Sequence, residues 1–213
     1  TEMALDGYIT CVVAAEMPYT FNSEALKAQA VAARSFCLYR MKNGTGHDGA
    51  DICTDYAHCA AFITGEGLTE KYGKTVAGKI EKKIGEAVKA TSGKIITYGG
   101  QPALALFHSR SYGFTESSEN VWGGKVPYLV SVTTPEEDDV TEVTVSDSEL
   151  KKAFSSDYAV KVSAGGRKMR LTSEKNGTGR QSSVFYGNHE LTARKLRSLL
   201  GLRSCSFEYQ RVD

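Results

Sequence analysis

Two helical patterns separated by a proline occupy the first forty residues, and they constrain the fold more than any other feature of the chain. The apolar residues Leu5, Tyr8, Ile9, Val12 and Val13 recur at the spacing of one helix face. Pro18 ends this first helix, because the residue before a proline avoids the helical region. A second helix is predicted from Ser23, which suits an N-cap, to about Met41. The chain is therefore expected to begin with two consecutive helices.

The pattern changes from helical to strand-like after Gly93. A third amphipathic helix precedes this point, with an apolar face formed by Val76, Ile80, Ile84, Ala87 and Val88. "KIITYGGQPALALF" then predicts two strands around Tyr98–Pro102. Further strand-like runs are "PYLVSVTT", "VTEVTVS", "YAVKVSA", "KMRLTS", "SSVFYG" and "SFEYQRV", and two short helices are predicted near Asp147–Phe154 and Thr192–Leu200. Helices first and mostly antiparallel strands afterwards predict an α+β fold.

Length and charge limit the classes of protein that the chain can represent. With 213 residues and no clear linker, a single domain over residues 1–213 is expected. Its best internal boundary is the acidic run at 136–139, which would separate a helical part, 1–135, from a β-rich part, 140–213. The net charge of +1 argues against a dedicated nucleic-acid binder. No apolar run reaches the roughly 20 residues of a membrane span.

Glu16 is the next residue on the apolar face of the first helix. A glutamate on that face would be partly desolvated, and desolvation favours the protonated carboxyl that a general acid requires. The alternative is that the apolar stripe simply ends in solvent at the helix terminus. The pattern leaves both interpretations open.

Lys27 and Arg34 lie seven residues apart and therefore share one face of the second helix. Cations on a face that is otherwise Ala-rich and apolar can hold a neighbouring carboxylate or bind substrate oxygens. They can equally be surface side chains whose charged ends reach solvent. Spacing alone does not choose between these roles.

Three sequence blocks carry a resemblance to a known family. "GYITCVVAAEMPYTFNSEALKAQAVAARSF" resembles the signature of the stage II sporulation protein D family, with E-M-P followed by E-A-L-K-A-Q-A-V-A-A-R. "ALFHSRSYGFTESSENVWGGKVPYLVSV" resembles the family's Ser/Gly-rich segment, and "TARKLRSLLGLRSCSFEYQ" resembles its closing segment. The resemblance covers nearly the whole chain.

The resemblance implies a peptidoglycan lytic transglycosylase of a spore-forming bacterium. Such an enzyme cleaves the β-1,4 bond between N-acetylmuramic acid and N-acetylglucosamine and leaves a 1,6-anhydro end. Glu16 would be the catalytic acid and base. Substrate contacts are implied for Lys27, Arg34, His108, Ser109, Ser111, Thr115, Glu116 and Tyr128.

The same resemblance implies a location and partners. The protein would act outside the cytoplasm, at the septum between mother cell and forespore, anchored by an N-terminal membrane segment outside this chain. Its substrate would be glycan strands that lack stem peptides. An amidase or endopeptidase and a membrane-anchored scaffold of the engulfment machinery would be its partners.

A separate cluster of metal-binding residue types lies after the second helix, in "GHDGADICTDYAHCAAF". His47, Cys53, His58 and Cys59 fall within 13 residues and form a complete tetrahedral set for structural zinc. The adjacent His58 and Cys59 can share one metal only if the backbone turns between them. A Cys53–Cys59 disulfide and a coincidental cluster are the alternatives.

Two rival functions follow from these features. A zinc-dependent hydrolase centred on the His/Cys loop would require an open coordination position. A non-catalytic cell-wall or partner-binding module would retain the fold without cleaving glycan. Mutation of Glu16 distinguishes both from a transglycosylase.

Overall fold

The computed structural model describes residues 2–44, 46–47, 49–111, 113–135, 140–157, 171–187 and 189–210. The chain divides into two compact units, Thr1–His108 and Ser109–Asp213. The boundary expected at 136–139 lies outside the described residues, so that boundary and the single-domain assignment remain predictions. Among the described residues, no helix combines the length and apolarity needed to cross a membrane.

The first unit is built from helices and one small hairpin. Its elements are α1 (Leu5–Glu16), α2 (Ser23–Asn43), α3 (Gly65–Tyr72), α4 (Lys74–Ala90), β1 (Thr97–Tyr98) and β2 (Gln101–Pro102). The strands β1 and β2 pair antiparallel around Gly99 and Gly100, both at positive φ, a backbone conformation that glycine adopts without strain. The predicted hairpin at Tyr98–Pro102 is therefore confirmed.

The junction between α1 and α2 differs from the prediction by one residue. Asn22, rather than Ser23, is the N-cap of α2, and its side-chain oxygen accepts a hydrogen bond of 2.9 Å from the Glu24 N–H. Asparagine and serine cap helices about equally well, so the sequence pattern did not separate them.

The core of the first unit lies where α1, α2 and α4 pack together. Its buried members include Ile9, Val12, Val13, Leu26, Ala30, Ala33, Ile80, Ile84 and Val88. The alanines of α2 allow the neighbouring helix backbones to approach closely. The apolar stripes predicted for α1 and α4 are the faces that form this core.

The second unit combines a three-stranded sheet with short helices. Its described elements are α5 (Ser118–Trp122), α6 (Asp147–Asp157), β3 (Leu171–Lys175), β4 (Gln181–Tyr186), β5 (His189–Thr192) and α7 (Ala193–Leu200). The sheet is antiparallel in the order β3-β4-β5. Its core contains Phe154, Val184, Tyr186, Leu191 and Leu196. The predicted α+β class is confirmed.

Several predicted strands are absent from the described residues. "PYLVSVTT" contributes only an isolated bridge between Phe114 and Thr133, and "VTEVTVS" forms no strand. Val130, Val132, Val140 and Val143 are exposed, so their alternation does not correspond to a buried sheet face. The closing run also has no strand within 206–210, and "YAVKVSA" lies outside the described residues.

Candidate active site

Glu16 is the last residue of α1, and its side chain is exposed. Of the two interpretations left open by the sequence, the structure shows the second, in which the apolar stripe ends in solvent at the helix terminus. The helix ends at this residue, and a turn follows in which the Phe21 N–H donates to the Pro18 carbonyl. The apolar stripe therefore ends at Val13, and the carboxylate is accessible to an incoming molecule.

A cavity of about 390 Å³ opens beside the Glu16 carboxylate, within the first unit. Its walls include Phe36 of α2 together with Leu106 and Phe107, which follow β2. The loop between α2 and α3 supplies Tyr56, Cys59, Ala60 and Ala61. Among these lining residues Glu16 is the only acid. The volume falls in the range of roughly 300–1,000 Å³ that is usual for small-ligand sites.

A backbone donor orients the Glu16 carboxylate. The Ala61 N–H donates a hydrogen bond of 3.0 Å to Glu16 Oε1. Two residues further along, the Ile63 N–H donates to the Cys11 carbonyl at 3.3 Å, so the same loop is attached to α1 at a second point. These two bonds fix the position of the cavity wall relative to the acid.

The four predicted metal ligands come together in the loop after α2. The side-chain donor atoms of His47, Cys53, His58 and Cys59 all lie within 4.8 Å of one another. Cys59 Sγ lies 3.3 Å from His47 Nε2 and 3.4 Å from His58 Nδ1, and Cys53 Sγ lies 3.6 Å from His58 Nδ1. A tetrahedral zinc ion with thiolate and imidazole ligands separates sulfur from nitrogen by about 3.6 Å. The donor set and its spacing fit zinc.

A tight turn allows the adjacent His58 and Cys59 to point at one place. The Asp55 carbonyl accepts from the His58 N–H at 3.1 Å and from the Cys59 N–H at 2.8 Å. Cys53 and Cys59 are both free thiols, so the structure does not contain the alternative disulfide. Arg40 Nη2 lies 3.3 Å from His58 Nε2. Because a metal bound at Nδ1 leaves the ring proton on Nε2, the guanidinium would have to move from this position.

Arg34 is a structural residue of the first unit. Its side chain is 2% exposed, and its Nη2 pairs with the Asp6 carboxylate of α1 at 2.9 Å. The remaining hydrogen bonds go to Asp6 and to the carbonyls of Val88, Thr91 and Lys94 at the end of α4. All five N–H groups of the guanidinium are thus used inside the unit.

The predicted contact between Arg34 and substrate is therefore wrong, because the guanidinium is buried and fully hydrogen-bonded within the unit. Of the three roles left open by the sequence, the structure shows the first, which is holding a neighbouring carboxylate. Asp6 and Glu16 lie ten residues apart on α1, or roughly 15 Å along the helix axis. Arg34 therefore lies at the opposite end of α1 from the candidate acid.

Lys27 lies near the surface at the start of α2. Its Nζ pairs with Glu24 at 2.7 Å, and both side chains are accessible to solvent. An exposed pair of this kind contributes little to stability. The predicted contact between Lys27 and substrate remains a prediction.

Three predicted substrate residues belong to a hydrogen-bonded network in the second unit. Ser111 is buried, and its hydroxyl bonds to the Thr134 hydroxyl at 2.8 Å. The Thr115 hydroxyl accepts from the Val132 N–H at 2.9 Å. Glu116 Oε2 accepts from the Thr178 hydroxyl at 2.7 Å and pairs with Arg180 at 3.3 Å. The structure thus gives Ser111, Thr115 and Glu116 partners within their own unit.

Glu116 is the centre of this network. Burial by itself raises the pKa of the Glu116 carboxyl, but hydrogen bonds from Asn120, Thr178 and Asn176 outweigh it, so the net pKa is lowered. Asn176 and Thr178 lie in the turn between β3 and β4, the second "KNGTG" of the sequence. The ionised carboxylate therefore holds residues 113–116 against that turn.

The remaining predicted contacts are His108, Ser109 and Tyr128. His108 and Ser109 are exposed and Tyr128 is half-buried. His108 ends the first unit, and Ser109 and Tyr128 belong to the second. Their contact with substrate remains a prediction.

Several residues that line the cavity or hold the first unit together were not predicted from the sequence. Ala61 acts through its backbone N–H, which carries no side-chain signal. Asp6 is an ordinary residue in the first turn of α1. Tyr56 lies among polar residues in a loop without periodicity, although its position between Cys53 and His58 could have drawn attention to it.

Comparison with known proteins places the chain in a family. A family model described as stage II sporulation protein (SpoIID) matches residues 1–98. This match includes Glu16, the His/Cys loop and all four α-helices of the first unit. The chain belongs to this family, and the resemblance found from the sequence blocks is confirmed.

The relatives extend the similarity to the second unit. Stage II sporulation protein D of Bacillus subtilis is 34% identical over 97% of this chain, and that of Bacillus amyloliquefaciens is 33% identical over the same share. The amidase enhancer of Bacillus subtilis is 32% identical over 56% of this chain and 14% of its own length. The chain spans about three fifths of the length of the two sporulation relatives, at 60% of each.

Proposed function

We propose that the chain is the catalytic part of a peptidoglycan lytic transglycosylase that acts in sporulation. One observation carries the proposal: Glu16 is an accessible carboxylate at the edge of a cavity whose other lining residues contain no acid. A glycoside hydrolase normally uses two carboxylates flanking the bond that it cleaves. A transglycosylase requires one, because the attacking group belongs to the substrate.

The reaction uses Glu16 twice. As the acid it protonates the glycosidic oxygen, and the bond from that oxygen to the anomeric carbon of the N-acetylmuramic acid breaks. As the carboxylate it then accepts the proton of the 6-hydroxyl of the same sugar, whose oxygen attacks the anomeric carbon. The product is a 1,6-anhydro end, no water is consumed, and the enzyme recovers its proton.

The hydrogen bond from Ala61 supports this role. It engages Glu16 Oε1, and no group of the described residues is hydrogen-bonded to Oε2. One oxygen is thus oriented by the backbone while the other is left for the proton transfers. A fixed orientation matters because proton transfer requires the carboxylate within hydrogen-bonding reach of the substrate oxygen.

The proposed role of the His/Cys cluster is structural. His47, Cys53, His58 and Cys59 would hold a zinc ion, and four protein ligands leave no open coordination position for water or substrate. This argues against the alternative of a zinc hydrolase. The ion would hold the loop that supplies Ala61 and part of the cavity wall.

Location and partners belong to the same proposal. The protein would act outside the cytoplasm at the sporulation septum, held by a membrane anchor beyond this chain. It would cleave glycan strands after an amidase or endopeptidase has removed the stem peptides, beside a membrane-anchored scaffold. The relatives named for stage II sporulation and for amidase enhancement support a function in the cell wall during sporulation. Nucleic acid is not among the proposed partners.

Mass analysis of products tests the reaction. Purified glycan strands, with and without stem peptides, are incubated with the parent, with Glu16→Gln and with Glu24→Gln, an exposed acid on α2. We expect 1,6-anhydro products from strands lacking peptides, and a loss of at least about 100-fold for Glu16→Gln only. Reducing-end products instead would indicate hydrolysis. Binding of the strands without any cleavage would support the non-catalytic module.

A further inference from the structure

Tyr56 is the most exposed aromatic residue at the Glu16 cavity. Its side chain is 82% accessible to solvent, yet it lines the same cavity as the carboxylate. A single exposed aromatic residue is not unusual in itself. Its position beside a candidate acid, in a cavity lined mainly by apolar residues, requires a more specific explanation.

The loop holds Tyr56 in a defined backbone position. Asp55 Oδ1 accepts from the Ala57 N–H at 2.8 Å, while the Asp55 carbonyl accepts from the N–H groups of His58 and Cys59. Tyr56 therefore lies in a turn whose backbone is held by hydrogen bonds to both the side chain and the carbonyl of Asp55. The metal-ligand candidates Cys53 and His58 flank it in sequence. The ring is therefore carried by a constrained turn, although the side chain itself is open to solvent.

Most of the other residues that line the cavity are apolar. Phe36 and Phe107 meet edge to face with their ring centroids 6.5 Å apart, and Leu106 lies next to them. A ligand that contacts both these residues and Tyr56 needs apolar surface, and it also needs polar groups that can reach the Glu16 carboxylate. A pyranose ring has this distribution, since its axial C–H groups form an apolar face and its hydroxyl and acetamido groups lie around the rim.

We propose that Tyr56 is a sugar-stacking residue of the Glu16 cavity, which binds a pyranose ring of the glycan through the face of its phenol. A tyrosine suits this position because it offers a flat apolar surface and loses little conformational freedom on binding. The ring would hold the sugar at the level of the Glu16 carboxylate without taking part in proton transfer. The inference rests on the proposed function and adds a residue that determines substrate binding.

Binding measured without cleavage tests the proposal. The Glu16→Gln protein is titrated with tetra-N-acetylchitotetraose and with peptide-free glycan strands by calorimetry, with Tyr56→Ala, Tyr56→Phe and Tyr72→Ala added in turn. Tyr72 is an exposed tyrosine at the end of α3 and does not line the cavity. We expect about 3- to 10-fold weaker binding for Tyr56→Ala, and binding within about 2-fold for Tyr56→Phe and Tyr72→Ala.

Kinetics separate substrate binding from structural damage. With Glu16 restored, Tyr56→Ala should raise KM by a similar factor and leave kcat within about 2-fold. If Tyr56→Ala perturbs the loop, Tyr56→Trp combined with Trp122→Phe provides a direct reporter, since Trp122 is the only tryptophan of the chain. A change in indole fluorescence when chitotetraose binds supports the proposal.

Two kinds of result would overturn the proposal. They differ in whether the proposed function fails as well. Unchanged glycan affinity in Tyr56→Ala rejects the stacking role and leaves Glu16 catalysis intact. Indole fluorescence in the Tyr56→Trp, Trp122→Phe protein that does not respond to saturating chitotetraose has the same meaning. If the Glu16→Gln protein binds no glycan and the parent cleaves none, the proposed function fails and this inference fails with it.

Discussion

The backbone N–H of Ala61 and the carboxylate Oε1 of Glu16 lie 3.0 Å apart, although the two residues are 45 positions apart in the chain. The bond connects the end of α1 to the loop that carries His47, Cys53, His58 and Cys59. Ala61 follows Cys59 by two residues. The geometry of the candidate acid therefore depends on the fold of the candidate metal loop.

Removing the Ala61 N–H should reduce the rate of cleavage. Ala61→Pro eliminates the donor, so Glu16 loses the bond that orients it, and we expect kcat to fall by about 10-fold or more with a smaller change in KM. Ala61→Gly keeps the N–H and is the matched control. Product formation from peptide-free glycan measures both variants, with thermal unfolding as a check on the fold. Equal rates in Ala61→Pro and Ala61→Gly would show that the bond is dispensable.

Replacing Arg34 should destabilise the protein more than it affects substrate binding. Arg34→Ala leaves the carbonyls of Val88, Thr91 and Lys94 without this donor and leaves a cavity between the helices. We expect a loss on the order of 3 kcal/mol in the free energy of unfolding, measured with denaturant.

Lys27→Ala is the comparison for Arg34, because Lys27 lies on the same helix and pairs only with the exposed Glu24 among the described residues. Its effect on stability should stay within about 0.5 kcal/mol. A stable Arg34→Ala protein with weakened glycan binding would instead restore the substrate role predicted for Arg34 from the sequence.

Metal analysis of the purified chain should find about one zinc per molecule, as expected for one tetrahedral site. Removal by a chelator should lower the unfolding temperature, because the ion would hold a loop with little regular secondary structure. Cys53→Ser should lose the zinc, whereas Cys205→Ser, outside the cluster, should retain it. Zinc-free parent protein whose Cys53 and Cys59 resist thiol labelling would indicate the disulfide.

The stabilising effect of Glu116 should depend on pH in a defined direction. Because hydrogen bonds lower the pKa of its carboxyl in the folded state, its contribution is fully present above the ordinary glutamate value of 4.5. It is lost as the pH falls below that value and through the lowered folded pKa. Glu116→Gln should therefore be less stable than the parent near neutral pH, with a difference that shrinks in acid.

The control for this pH dependence is Glu119→Gln. Glu119 lies on α5 and is paired at 3.7 Å with Lys125, and both side chains are well exposed. Because an exposed pair of this kind contributes little to stability, we expect the free energy of unfolding of Glu119→Gln to stay within about 0.5 kcal/mol of the parent value. A Glu116→Gln protein whose deficit is constant over this range would show that the carboxylate's charge does not stabilise the network.

Local patterns identified most of the helices but missed α3 and α5, and they identified only some of the strands. The apolar stripes of α1 and α4 were found correctly, because a helix is stabilised along one continuous segment and its buried face repeats at a fixed spacing. The strand pattern in "PYLVSVTT" and "VTEVTVS" was misleading, since a strand requires a partner that the sequence does not specify. β5, at His189–Thr192, was missed for the same reason, because its place beside β4 is a tertiary contact.

The family, the α+β class, the candidate acid Glu16 and the four ligand types of the loop could all be read from the amino-acid sequence, because they depend on residue identity and short-range spacing. What those residues touch became known only from the folded chain. Folding placed Arg34 among the carbonyls at the end of α4, gathered His47 with Cys59, and brought the Ala61 N–H to Glu16. Polar groups pair with whichever partner the folded chain brings within hydrogen-bonding distance, and that choice depends on contacts between residues far apart in the sequence.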